Sequence, residues 1–432
     1  MTRFWPAALL ACIALAGCGE GDRRGPAKVI LIGLDGATWG VIEPLRAEGR
    51  LPAFDRLVRE GASGVAHSIR EPHAYESAAL WTTVATGRHP EEHGILANAM
   101  DGSPPTSNMR RVHALWNVAS EHGLDVGIVG WFVTWPAEAV NGFVVSDQAW
   151  LTGDRGASPP QVLADIGAPG FWAWEPGSAR NREELRRFID FEFEPDFDRR
   201  PRGDPAWFRS FLVSERLSWV YPRDESFARI GLALLERERP DLFAIYFRGI
   251  DFTSHAFWMF REPAADGYHP RASERLGDEL LASFGPLIER YYAYQDEVLA
   301  RFLAAADADT LVLVVSDHGF GPGRNFYPAN WYLTGTHRPE GIIAAWGAGV
   351  ARGARIQDAS LFDVAPTLLS ALDLPVGRDL PGRVLGEIFQ RPPAVRYVDS
   401  HDRGGPRPAQ APIESPDREE MRERLRALGY LE

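Results

Sequence analysis

The sequence predicts an α/β protein: a three-layer α/β/α sandwich on a mainly parallel central sheet, with an inserted aromatic-rich lid subdomain. Three observations carry this. Short, nearly continuous aliphatic runs recur along the chain, as in strands buried on both faces. Amphipathic helical patterns such as LPAFDRLVREG and SFARIGLALLERER lie between them. Asp, His or Gly flanks each aliphatic run closely, and in open sheets of this kind ligands bind beyond the carboxyl ends of the strands.

Taken in order, the chain opens with MTRFWPAALLACIALAGC: a basic Arg3, an apolar run from Phe4 to Ala16, and small residues before Cys18. That is a secretory signal pattern and too short for a spanning helix. Leu15-Ala16-Gly17-Cys18 resembles the bacterial lipobox, whose cysteine is acylated and becomes the first mature residue. It implies an exported lipoprotein of the bacterial cell envelope, with a membrane partner through the lipid on Cys18. Cys12 and Cys18 are the only cysteines, so the domain beyond them has no disulfide and no thiol for chemistry.

Residues 19–27 are small, charged and Gly-rich, and read as a flexible tether. KVILIGLDG then begins the first part of the main domain, residues 28–150. From 151 to 239 the texture changes to Pro, Trp, Phe and acidic residues, which predicts an insertion or lid. Residues 240–392 resume the aliphatic style, with strands at Leu242–Phe247, Thr310–Val315 and Gly341–Ala345. A charged, Pro-rich tail, 393–432, closes in an amphipathic helix.

A net charge of -13 over 432 residues argues against a nucleic-acid polymer as partner, because phosphate backbones are held by clustered Lys and Arg. Lys28 is the sole lysine, so any catalytic or phosphate-binding cation must be Arg or a metal ion.

Metal-ligand side chains gather at or near strand ends in four places: Asp35 in GLDG, Asp251 and His255 in GIDFTSHAF, Asp317 and His318 in VSDHGFG, and His337 in LTGTHRPEG. Asp251 and His255 share one face if that turn is helical. Asp317 and His318 reach one ion only if the chain bends where the strand stops, which Gly319 allows. Carboxylate with imidazole and no thiolate suits Zn2+, with Mn2+ as the alternative. The other eight histidines are read as surface or structural. In ESAALWTTVATG, four hydroxyls compete: Ser77, Thr82, Thr83 and Thr86. By position alone Ser77 fits an N-cap as well as a nucleophile.

The ordered set is more specific than its parts. It comprises Asp35 after the first strand, a Ser nine residues before Thr86-Gly87, Pro90-x-x-His-Gly-Ile, Asp251-x-x-x-His, Asp317-His-Gly and a final His337. This set resembles the alkaline phosphatase superfamily, best its type I phosphodiesterase/nucleotide pyrophosphatase branch, over roughly residues 28–389. The resemblance implies two divalent ions, one held by Asp251, His255 and His337, the other by Asp35, Asp317 and His318 with the oxygen of a nucleophilic Ser77. It also implies that Asn98 in HGILAN hydrogen-bonds a phosphoryl oxygen.

The substrate class so implied is a phosphate ester, a small molecule or an envelope component. Formal charge agrees: two divalent ions, three carboxylates and an ionised Ser77 sum to about zero, so an anion can enter without a large buried charge. A neutral Asn98 suits a diester; monoester specialists add Arg or a third ion, and Arg248 and Arg324 lie close to the ligand segments in sequence. Trp172, Trp174 and Trp207 could stack on a base or sugar, or simply pack. A sulfatase is disfavoured because SAALW lacks the Pro and Arg of the formylglycine motif. A phospho-head-group transferase and a non-catalytic envelope binding protein are the remaining alternatives.

Overall fold

The computed structural model describes residues 28–69, 76–100, 103–165, 178–202, 204–323 and 331–402, together with positions 26, 171, 408 and 410–413. The leader with Cys12 and Cys18, Trp172, Trp174, Arg324 and the predicted closing helix lie outside the described residues. Among the described residues no helix is long and apolar enough to cross a membrane.

Among the described residues, eleven strands build the main sheet and a small hairpin: β1 Lys28–Leu34, β2 Ala62–His67, β3 Val126–Val129, β4 Gly142–Val145, β5 Ala157–Ser158, β6 Leu242–Phe247, β7 Thr310–Val315, β8 Gly319–Pro322, β9 Gly335–Arg338, β10 Glu340–Gly347 and β11 Ala354–Ser360. The sheet order is β11-β2-β10-β7-β1-β6-β3-β4-β5, and β8 pairs with β9 alone. From β7 through β4 all strands run parallel. The antiparallel exceptions are β10, against both β2 and β7, and β5 against β4. The predicted mainly parallel sheet is therefore present. The four strands read from aliphatic runs are β1, β6, β7 and β10.

Alternation along β1 shows why its sequence is apolar at nearly every position. Ile30, Ile32 and Leu34 pack into one core, with the helices Trp39–Ala47, Pro52–Glu60, Ser218–Glu238, Gly249–Arg261 and Leu287–Ala305. Val29 and Leu31 pack into the other, with Ser77–Thr86, Leu115–Glu121 and Val364–Ala371. Each fully buried aliphatic or aromatic side chain contributes about 1.5–3 kcal/mol of hydrophobic stabilisation, so a strand buried on both faces anchors both helical layers.

Residues throughout 151–239, among them Ala157, Leu185, Phe188 and Phe208, contribute to the core that holds β1. Helix Ser218–Glu238 follows an apolar stripe that includes Val220, Phe227, Ile230 and Leu234, and these side chains join the same core as β1. In the tail, a short strand Tyr397–Val398 pairs in parallel with Val376–Gly377.

One helix cap is supplied from across the fold rather than locally. Helix Pro52–Glu60 has no side-chain cap of its own. Buried Asp296, from Leu287–Ala305, accepts Ala53 N at 3.1 Å and Phe54 N at 2.8 Å in its place. Replacing Asp296 with Ala is expected to cost about 1–2 kcal/mol of stability, read as a lower denaturant midpoint with metal uptake unchanged.

Candidate active site

The ends of three adjacent parallel strands deliver the ligand residues to one place. Asp35 follows β1; Asp317 and His318 follow β7 on one side of it. On the other side β6 leads into helix Gly249–Arg261, where Asp251 and His255 stand one turn apart. The chain then returns through β9, whose His337 pairs with Phe320 of β8, two residues beyond His318. Two groups result, Asp35–Asp317–His318 and Asp251–His255–His337, each offering ligand atoms that all lie within 4.8 Å of one another. Among the described residues these are the groups of three or more such side chains placed to hold an ion.

Four of the six ligands are held by their far ends. Asp35 Oδ2 accepts Trp81 Nε1 at 3.3 Å and the hydroxyl of Tyr246, leaving Oδ1 to face His318 Nε2 at 3.2 Å. Gly33 makes this possible, since a Cβ there would sit 2.6 Å from the Trp81 ring. Asp317 Oδ1 accepts His318 N at 3.1 Å and Gly36 N at 3.4 Å. His318 Nδ1 bonds Gly319 O and His255 Nδ1 bonds Gly335 O, both at 3.0 Å, so each ring donates from Nδ1 and presents Nε2 inward.

Thr334 ties the second group together. Its N–H donates to His255 O at 2.7 Å and its hydroxyl accepts Met259 N at 3.1 Å, three residues before His337. Asp251 Oδ1 is the junction: it lies 3.2 Å from His337 Nε2, 3.4 Å from His255 Nε2 and 3.8 Å from His318 Nε2. The His318 and His337 rings stack at 3.6 Å between centroids.

The buried ligand groups perturb one another strongly. Burial and the neighbouring Asp35 push the Asp317 carboxyl well above the usual range. Burial opposes charge on Asp251, but His255 and His337 outweigh it and hold this carboxyl well below its ordinary value. For His318, burial is outweighed by Asp317, Asp35 and Asp251, and the imidazole is pushed up to about 10. Burial and the charge of His318 push His337 down to about 3.

Asp35 Oδ1, Asp251 Oδ1, Asp317 Oδ2 and His318 Nε2 are all buried and make no hydrogen bond. Buried polar atoms are ordinarily satisfied. An array of inward ligand atoms on hard oxygen and imidazole nitrogen, four of the ligands fixed from behind, fits divalent ions.

Ser77 is linked to the first group through its own helix. It is the first residue of helix Ser77–Thr86, whose N-cap is Glu76, so it is not the cap. Ser77 and Trp81 lie one turn apart on one helix face, and Trp81 touches Asp35. The competing hydroxyls are occupied: Thr82 bonds Ala78 O, Thr86 bonds Thr82 O, and Thr83 bonds His93 Nε2. Ser77 Oγ is buried and has no hydrogen-bond partner. Asn98 Oδ1 accepts Ala78 N at 2.8 Å, which leaves its buried Nδ2 as a donor without a partner.

Other residues singled out in the sequence have different surroundings. His93 is fully buried, with Nδ1 accepting Ile95 N and Nε2 against Thr83, a structural role. Trp207 stacks on Phe211 at 4.9 Å in an aromatic cluster. The Arg248 guanidinium lies over the rings of Phe132 and Phe252, at 4.5 and 5.2 Å. The sequence reading missed Trp81, Tyr246 and Thr334. Each supports a ligand from a distant part of the chain; only Trp81, one helical turn from Ser77, offered a local signal.

The chain belongs to the type I phosphodiesterase/nucleotide pyrophosphatase family, which it matches over residues 29–365. That family is one of phosphate-ester hydrolases. No curated protein matches it. Among solved structures it is similar to phosphonoacetate hydrolase from Sinorhizobium meliloti 1021 in complex with phosphonoformate, at 16% identity and TM-score 0.42, covering 70% of this chain but only 58% of that one. It is also similar to a mutant of the alkaline phosphatase PafA, at 12% identity and TM-score 0.47, covering 84% of this chain and 99% of that one. Human ectonucleotide pyrophosphatase/phosphodiesterase 5 shares 12% identity, with TM-score 0.46 and coverage of 81% and 96%.

Proposed function

We propose that the protein is a metal-dependent phosphodiesterase that works through a covalent phospho-Ser77 intermediate. The observation that carries this reading is a set of buried atoms without hydrogen-bond partners: four ligand atoms of the two Asp/His groups, the Ser77 oxygen and the Asn98 amide donor. Asp35, Asp317 and His318, with Ser77 Oγ, would hold one divalent ion, and Asp251, His255 and His337 the other. When bound, such ions lower the pKa of a hydroxyl or water and neutralise charge developing on the reacting oxygens.

The chain's own residues do the rest. Ser77 Oγ, buried at a helix N-terminus where free amides and the dipole favour negative charge, forms the new bond to phosphorus as the bond to the leaving alcohol breaks. Asn98 Nδ2 donates to a non-bridging phosphoryl oxygen; Ala78 N, holding Oδ1, fixes which end of the amide faces it. Water then bonds phosphorus from the opposite side, and Ser77 leaves as the free hydroxyl. A neutral amide donor matches the single negative charge of a diester better than the near-double charge of a monoester.

The test is a panel of bis-aryl diesters and aryl monoesters assayed with defined metals. Diester turnover is expected to exceed monoester turnover, to vanish on chelation and to return with Zn2+ or Mn2+. Monoester preference would contradict the substrate assignment, and chelator-resistant activity the metal dependence.

A further inference from the structure

Asp224 lies outside both ligand groups, yet its contacts lead to one of them. It sits in helix Ser218–Glu238, is fully buried and carries an ionisable group that the proposed chemistry does not use. Its Oδ2 accepts Gly249 N at 2.9 Å, and its Oδ1 lies 3.3 Å from Arg248 N. These amides open helix Gly249–Arg261, whose N-cap residue makes no side-chain cap of its own. Asp224 is thus a cap donated by another helix, satisfying amides that the first turn leaves over and placing a carboxylate at the positive end of the dipole.

The carboxylate is itself fixed. Tyr291 Oη and Gln295 Nε2 donate to Oδ2 at 3.1 and 3.2 Å, and Arg223 lies 3.4 Å from Oδ1. Gly249 is required by this packing, because a Cβ there would fall 1.8 Å from Tyr291 Oη. Two residues beyond Gly249 comes Asp251, and one turn later His255. Any shift at the start of this helix moves both ligands together, whereas Asp35, Asp317 and His318 follow β1 and β7 and have side-chain bonds of their own.

We propose that Asp224 is a positioning residue for the Asp251–His255–His337 group, setting the geometry of one ion site and not of the other. The inference rests on the two-ion reading above. Residues that orient metal ligands typically change metal affinity by about 10–100-fold when altered.

The test is titration of metal-free protein with Zn2+ by calorimetry. Wild type is expected to take two equivalents. In Asp224→Asn one equivalent weakens by about tenfold while the other keeps its affinity. Asp147→Asn is the control: that buried carboxylate bonds Val133 and Thr134, so its loss lowers the melting temperature without separating the two equivalents. If Asp224→Asn does not fold, Tyr291→Phe removes one donor to Asp224 and is expected to weaken the same single equivalent by a smaller factor. Two equivalents of unchanged affinity, or of equally reduced affinity, would overturn the positioning role alone. A wild-type protein that binds fewer than two equivalents would overturn the two-ion reading and the inference with it.

Discussion

Ser77→Ala is expected to slow hydrolysis of a bis-aryl phosphodiester by roughly 10,000-fold or more, the scale seen when a covalent nucleophile is removed, with both metal equivalents retained. The expectation depends on the absence of a substitute. Thr82 and Thr86 return their hydroxyls to the helix carbonyls, and Thr83 is tied to buried His93. Only Ser77 Oγ, among the four hydroxyls of this helix, is buried with no partner. Metal retention separates loss of the nucleophile from collapse of the site, because the ligand groups are anchored through other residues. Undiminished turnover in Ser77→Ala, measured alongside metal content, would remove the covalent step from the account.

The second large effect is expected at Asp251. Its Oδ1 lies 3.2 Å from His337 Nε2 and 3.4 Å from His255 Nε2, nearer than the 3.8 Å to His318 Nε2 of the other group. Asp251→Asn keeps the shape but removes the charge that offsets a cation here. Affinity for the second ion should fall by more than about 100-fold, beyond the range for residues outside the ligand set. Diester turnover should fall with it even when Ser77 is intact. Elemental analysis after gel filtration reads the first, and a saturating-metal assay the second. Two ions retained with full activity would mean that Asp251 is not a ligand.

What could be read from the sequence follows from where information is local. Buried parallel strands declare themselves as aliphatic runs, and β1, β6 and β7 carry their polar ligand residues immediately or shortly after the run ends. The weaker strands are invisible for the converse reason. ASGVAH of β2 is half-buried and contains Ser and Gly, and β11 is a partly exposed edge strand with polar residues between its apolar ones. VGIV of β3 is only four residues long.

The direction of β10 could not be read either, because GIIAAWG is equally apolar parallel or antiparallel. Trp81 and Tyr246 meet Asp35 across 46 and 211 positions, and such contacts leave no periodic trace. Asp224 left a faint one: it falls in phase with the apolar stripe of its helix, four residues after Val220 and three before Phe227. A charge on a buried face needs a partner, and here the partners are the amides of the ligand helix.

The central claim is that two divalent ions sit beside Ser77, and the most direct measurement is anomalous scattering from crystals grown with Zn2+. The account predicts two peaks about 4 Å apart, one among Asp35, Asp317 and His318, with Ser77 Oγ within bonding distance, and one among Asp251, His255 and His337. A single peak, or a pair with Ser77 turned away from both, would contradict it.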